Sequence, residues 1–196
     1  MGWRSEEFGA SHEGKAQAVL ADGSEPGPRY FDVGSGPNVH KTSDWWVYDG
    51  TPRAPQATDL RAACVCGWRG LAQYVIDWSD VERNGPDLYD TSGPYGDWNQ
   101  HIREVTARTV PLPAAVEDLL ERLDEQLTAL AMDAPLAALR AVAALERTTR
   151  SVGRAAACMA EADEMPWEAI GTALGLSERD ACARLRRYSL GLDHRM

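Results

Sequence analysis

The sequence predicts an α+β protein in two parts: a small, loop-rich β domain over residues 1–111, then an all-α domain over residues 112–196. Three observations carry this. Residues 1–111 hold 13 of the 15 aromatic residues and 13 of the 17 glycines. Residues 112–196 are rich in Ala, Leu and Arg. Pro111-Leu-Pro113 marks the change, where proline stops a helix arriving from upstream.

In the first part, Asp44-Trp-Trp-Val-Tyr-Asp-Gly50 is aromatic and β-branched and ends in an Asp-Gly turn signal, which predicts a strand. On such a strand Trp45 and Trp46 point to opposite faces. Leu60-Arg-Ala-Ala-Cys-Val-Cys66 is a second strand candidate, stopped by Gly67. Residues 21–40 and 83–97 are rich in turn formers and read as loops. A short helix is expected from Trp98 to about Arg108.

The second part is helical throughout. Val116, Leu119, Leu120, Leu123, Leu127 and Leu130 form one apolar stripe on a helix that starts after Pro113. Asp133-Ala-Pro135 breaks it, and Pro135 suits the first turn of the next helix, which runs to about Ala162. There Ala138, Val142, Leu145, Thr149, Val152 and Ala156 alternate steps of four and three, ending at Met159, as in a heptad seam. The seam suits packing on the preceding helix. It also suits a homodimer through helices 114–162, with the weakness of Ala and Thr in such a seam favouring the first.

Residues 166–188 predict two short helices around a tight turn. Pro166 opens the first, and Ile170 and Leu174 face inward four residues apart. Gly171 is small where the second helix crosses closely. Gly175 supplies a left-handed C-cap, Leu176 plugs the corner, and Ser177 caps the second helix. Ala181 and Leu185 again face inward. This is the helix-turn-helix arrangement of small and apolar positions.

These residues resemble the helix-turn-helix at the end of bacterial sigma factors (region 4) and of LuxR-type regulators. Residues 135–188 as a whole resemble small actinobacterial regulators in which a long helix feeds such a motif. The resemblance implies binding to double-stranded DNA and a role in transcription regulation. With the second helix in the major groove, its exposed face offers Glu178, Arg179, Cys182, Ala183 and Arg186. Arg179 and Arg186 match the guanine edge, and Arg184 and Arg187 suit phosphates. Ser177 sits at the helix start. Glu178 and Asp180 are a departure, since acids near phosphates repel; they equally favour the positive helix N-terminus.

Cys64-Val-Cys66-Gly67-Trp68-Arg69-Gly70, with Trp98-Asn-Gln-His101 downstream, resembles a segment of small actinobacterial and phage proteins whose pattern implies a zinc knuckle. Gly67 lets the backbone turn so that amides face the thiolates. His101 is the third candidate ligand. His40 or His12 would complete the tetrahedral set that structural zinc prefers, and His40 is preferred because it lies next to the predicted aromatic strand. The competing interpretation is a pair of reduced, packed cysteines; the resemblance favours zinc. Cys158 and Cys182 lie in helical patterns and read as small packed residues.

Charge and length bound the rest. The formal net charge is -10, which opposes non-specific coating of nucleic acid. Residues 177–196 carry five Arg against three acids, so DNA contact is expected to be confined there. No secretory signal or membrane-length apolar run is visible, and a cytoplasmic location is the expectation. No phosphate-binding loop or hydrolase motif appears, and nothing orients His101 toward a cysteine nucleophile, so no enzyme activity is expected. The alternative function is an accessory factor, RNA-polymerase-associated or phage-type, whose helix-turn-helix contacts protein.

Overall fold

The computed structural model describes residues 2–32, 39–51 and 54–190, with only the backbone described at Asp32, Val39 and His40. The chain is mixed α+β and divides into two compact units, Met1–Ala107 and Arg108–Met196.

The first unit is built on a four-stranded antiparallel sheet. Its strands are β1 (Trp3–Ser5), β2 (Gly9–Leu20), β5 (Ala57–Cys64) and β6 (Tyr74–Val75), in the order β1-β2-β5-β6. A separate two-stranded ribbon pairs β3 (Arg29–Asp32) with β4 (Val39–Thr42). Helices α1 (Trp78–Asn84) and α2 (Ser92–Thr106) follow. The register places Gly14 opposite Cys64, Ala16 opposite Ala62 and Ala18 opposite Leu60. Because side chains alternate along a strand, His12, Gly14, Ala16 and Ala18 share one face of the sheet with Leu60, Ala62 and Cys64. One end of the core packs Ala16, Ala18 and Leu60 with Trp45, Tyr48 and Ile76; the other packs Ala62 and Cys64 with Trp98. Small residues on the strands leave room for the large indoles laid over them.

Three expectations are corrected here. Residues 44–50 form no regular strand: Trp45–Val47 is a single 3-10 turn, and Asp49 makes only an isolated bridge to Gln56. The Thr42 hydroxyl donates to Asp44 and accepts from its backbone N–H, which bends the chain before the tryptophans. Trp45 is buried and Trp46 half-buried. The segment 83–97 is not mainly loop, because α2 begins at Ser92, six residues before Trp98. Gly93 belongs to it: a Cβ there would meet the Tyr74 ring at 2.3 Å. Finally, residues 21–40 contain β3 and the start of β4; residues 33–38 lie outside the described residues.

The second unit holds α3 (Ala114–Asp133), α4 (Pro135–Ala162), α5 (Trp167–Leu174) and α6 (Glu178–Leu190). Pro135 occupies the first turn of α4. Buried Ala157 of α4, Ile170 of α5, and Ala181 and Leu185 of α6 make one cluster, with Trp167 and Leu176 at its edge. Gly175 ends α5 in the left-handed conformation, φ 62 and ψ 36. Gly171 is required because a Cβ would lie 2.9 Å from the Leu176 carbonyl oxygen. Gly153, which interrupts good helix former in α4, makes room for the Tyr188 ring of α6, 3.0 Å from where its Cβ would be. Among the described residues, no helix is long and apolar enough to cross a membrane.

Candidate metal centre

Four side chains of the first unit converge on one point: His12 from β2, Cys64 from the end of β5, Cys66 just beyond it, and His101 from α2. Each offers one donor atom, and the four atoms lie within 4.8 Å of one another. His12 Nδ1 is 3.3 Å from His101 Nε2 and 3.6 Å from the Cys64 sulfur. The Cys66 sulfur is 3.4 Å from His101 Nε2. His12, Cys64 and His101 are buried, and Cys66 is half-buried. These four groups can hold a metal ion between them.

Local structure explains the convergence. After β5 the chain turns sharply: Gly67 N–H donates to the Cys64 carbonyl and Cys64 N–H to the Trp68 carbonyl. Gly67 has φ 99, a conformation that side chains resist, so the turn needs glycine. Both sulfurs are thereby presented on the same side of the turn as α2. On α2, Trp98 and His101 are three apart and share a face. The Trp98 indole lies over Gly14, where any Cβ would be 2.4 Å from the ring. The Trp68 ring stacks on His101 at 4.3 Å between centroids and 8° between planes, and Phe8 packs beside His12 at 5.1 Å. The imidazoles are thus held by rings on their outer sides.

Electrostatics set the thiol pair apart. The hydrogen bond between the two sulfurs, with burial, pushes the Cys64 thiol up. The same bond, reinforced by His101, His12 and the Trp68 backbone, holds Cys66 far below the usual thiol range. These surroundings favour the thiolate at Cys66, the form that ligates metal. The buried Trp98 Nε1–H has no hydrogen-bond partner of ordinary length among the described residues, yet it lies where it favours a Cys64 thiolate. Such an N–H supports a ligating sulfur from outside the donor set.

Of the four ligands expected from sequence, Cys64, Cys66 and His101 come together. His40, preferred as the fourth ligand, has its backbone paired with Phe31 in the β3–β4 ribbon, and its side chain lies outside the described residues. Among the described residues it is His12 that joins the other three. Its signal was the alternation of His12, Gly14, Ala16 and Ala18 with Glu13, Lys15 and Gln17, which marks a half-buried strand.

The residues expected to face DNA lie on α6 and its cap. The Ser177 hydroxyl accepts from the Asp180 N–H at 3.1 Å and donates to the Asp180 carboxylate at 2.7 Å, so its oxygen is engaged in capping. Glu178, Arg179, Arg186 and Arg187 are exposed, and Cys182 and Arg184 are half-buried. Comparison with family models, curated proteins and solved structures finds no match to this chain.

Proposed function

We propose that the first unit is fastened by one structural Zn²⁺ on His12, Cys64, Cys66 and His101, and that the chain is a DNA-binding transcription regulator reading through α6. The spacing of the donor atoms carries the metal assignment. For tetrahedral zinc with Zn–N near 2.05 Å and Zn–S near 2.3 Å, nitrogens are about 3.3 Å apart and nitrogen–sulfur pairs about 3.6 Å. The separations found are 3.3 Å for the two nitrogens and 3.4 and 3.6 Å for the two mixed pairs. Two packed cysteines and two surface histidines have no reason to meet at the edges of one such tetrahedron. Four protein donors leave no open position, which fits a structural ion and not a catalytic one. The test is zinc per chain in the parent and in Cys64→Ser. Near one against near zero is expected; equal contents would sink the site.

The DNA reading is supported by the exposed face of α6, where Arg179 and Arg186 sit two helical turns apart on a firmly capped helix. The unit behind α6 is small and well packed through Ile170, Ala181 and Leu185. Selection from a promoter-containing DNA pool at moderate salt supplies a target. Arg179→Ala with Arg186→Ala is then expected to weaken binding by about 1–3 kcal/mol for each arginine taken away from a base edge. Unchanged retention would rule out groove reading. A chain that retains no DNA at all would favour the accessory-factor alternative, for which the acids Glu178 and Asp180 at the start of α6 speak.

A further inference from the structure

We propose that the α3–α4 hairpin is a dimerisation surface, and that a second copy of this chain covers it, closing four helices into an antiparallel bundle. This goes beyond the metal and DNA assignments and depends on neither.

The hairpin is under-covered for its length. None of the twenty residues of α3 is buried, and only Ala138 and Ala157 are buried among the twenty-eight of α4. The stripe of α3 is half-buried at Leu123, Leu127 and Leu130 but opens at Val116, Leu119 and Leu120, which are 41–61% exposed. On α4 the same happens at Val152 and Met159, both more than 60% exposed. Met132, Leu136 and Leu139 form an exposed apolar tip at the helix turn. Exposed apolar side chains along both helices and at their turn are more than a covered surface helix usually shows, and such faces mark sites of association. Two helices cannot bury stripes this wide against each other; four can.

Charge selects the occupant. α3 carries six acids and one Arg, whereas α4 carries four Arg and two acids. An acidic partner would suit only α4, and a basic one only α3. A two-fold pair sets each α3 against the α4 of the other copy, so both seams join opposite charges. The spacing Val116, Leu120, Leu123, Leu127, Leu130 supplies the four-three knobs that such a bundle interlocks.

The native mass of the full chain, followed on serial dilution, is the first measurement. Twice 21.5 kDa is expected; a monomer throughout overturns the proposal. Leu119→Glu and Val152→Glu place a charge at exposed positions and should each weaken the dimer roughly tenfold or more, with helical circular dichroism kept. A dimer indifferent to both changes lies elsewhere and overturns it. A charge exchange guards against simple misfolding. Glu117→Lys, Glu121→Lys, Asp124→Lys and Glu125→Lys together make α3 basic; in a second protein Arg140→Glu with Arg147→Glu makes α4 acidic. Each alone should dissociate, and mixing the two should restore a mixed dimer. Failure to restore it overturns the seam assignment.

Discussion

Replacing Gly14 with alanine tests whether the sheet, the indole and the metal centre form one fitted assembly. The new Cβ would lie 2.4 Å from Trp98 Cδ1 and Nε1 and 2.7 Å from Cε2. Ordinary contact starts near 3.4 Å, so the ring must withdraw by about 1 Å in a core packed as densely as a crystal. Trp98 is 2% exposed and has nowhere to turn, so α2 must move with it. Overpacking of this kind costs about 1–3 kcal/mol. His101 rides on the same helix face, and metal–ligand distances tolerate only about 0.2 Å. The expected outcome is therefore double: a stability loss of about 2 kcal/mol in the metal-free protein, and a drop of roughly tenfold or more in zinc affinity. Urea unfolding with an unchanged slope reads the first, and competition with a chelator reads the second. Gly96→Ala is the control, since Gly96 is exposed on the same helix with nothing within 4 Å of a new Cβ. It should gain about 0.5–1 kcal/mol from helix propensity. A Gly14→Ala protein within about 0.5 kcal/mol of the parent, with zinc affinity intact, would refute the reasoning.

Other outcomes follow from single positions. His12→Ala should abolish stoichiometric zinc while His40→Ala leaves it in place, as read by metal content after dialysis. Gly175→Ala forces a side chain into the left-handed region, φ 62, and should lower the stability of the second unit by about 1 kcal/mol in thermal unfolding. Asp77 caps α1 by accepting from the Ser79 and Asp80 N–H groups, and its bonds to Ser79 lead the causes that hold its carboxyl below the usual range. A depressed folded value stabilises above the unfolded value, near 3.9, and that contribution is lost as pH falls through the folded one. Comparing Asp77→Asn with the parent across that range in acid unfolding should show a gap that closes at the lowest pH.

Much of the helical unit was legible because its signals are local. The stripe from Val116 to Leu130, the Asp133-Ala-Pro135 break and the Gly175–Ser177 corner each specify geometry within a few residues. The sheet was not legible in the same way. β2 is rich in Ala, Gly, Lys and Gln, so propensity gives it no strand character; its extended form comes from pairing with β5 and from the indole it must admit at Gly14. With β2 unread, nothing in the sequence favoured His12 over His40 as the fourth ligand. Ser92-Gly-Pro-Tyr-Gly96 reads as a turn, yet Tyr74 packing on Gly93 makes it the first turn of α2. Trp45 to Tyr48 has strong β propensity and still folds as a turn, because burying both ends of that run in the core outweighs it. The Cys64–Cys66 pair and His101 were found by chemical type, which survives ignorance of the fold.

The wide separation of the metal donors bears on when the ion can act. His12 and Cys64 are 52 residues apart, and Cys66 and His101 are 35 apart. An unfolded chain offers only the neighbouring thiols unless it closes both loops, at an entropic cost of about 3 kcal/mol apiece. Its affinity for the ion is correspondingly poor, so nearly all the binding free energy accrues to the native form. Each tenfold rise in free metal above the dissociation constant then adds about 1.4 kcal/mol to the stability of the first unit. On the zinc assignment proposed above, the ion would not nucleate this unit as it does a short finger; it would enter after the sheet and α2 have met, and leave when they part.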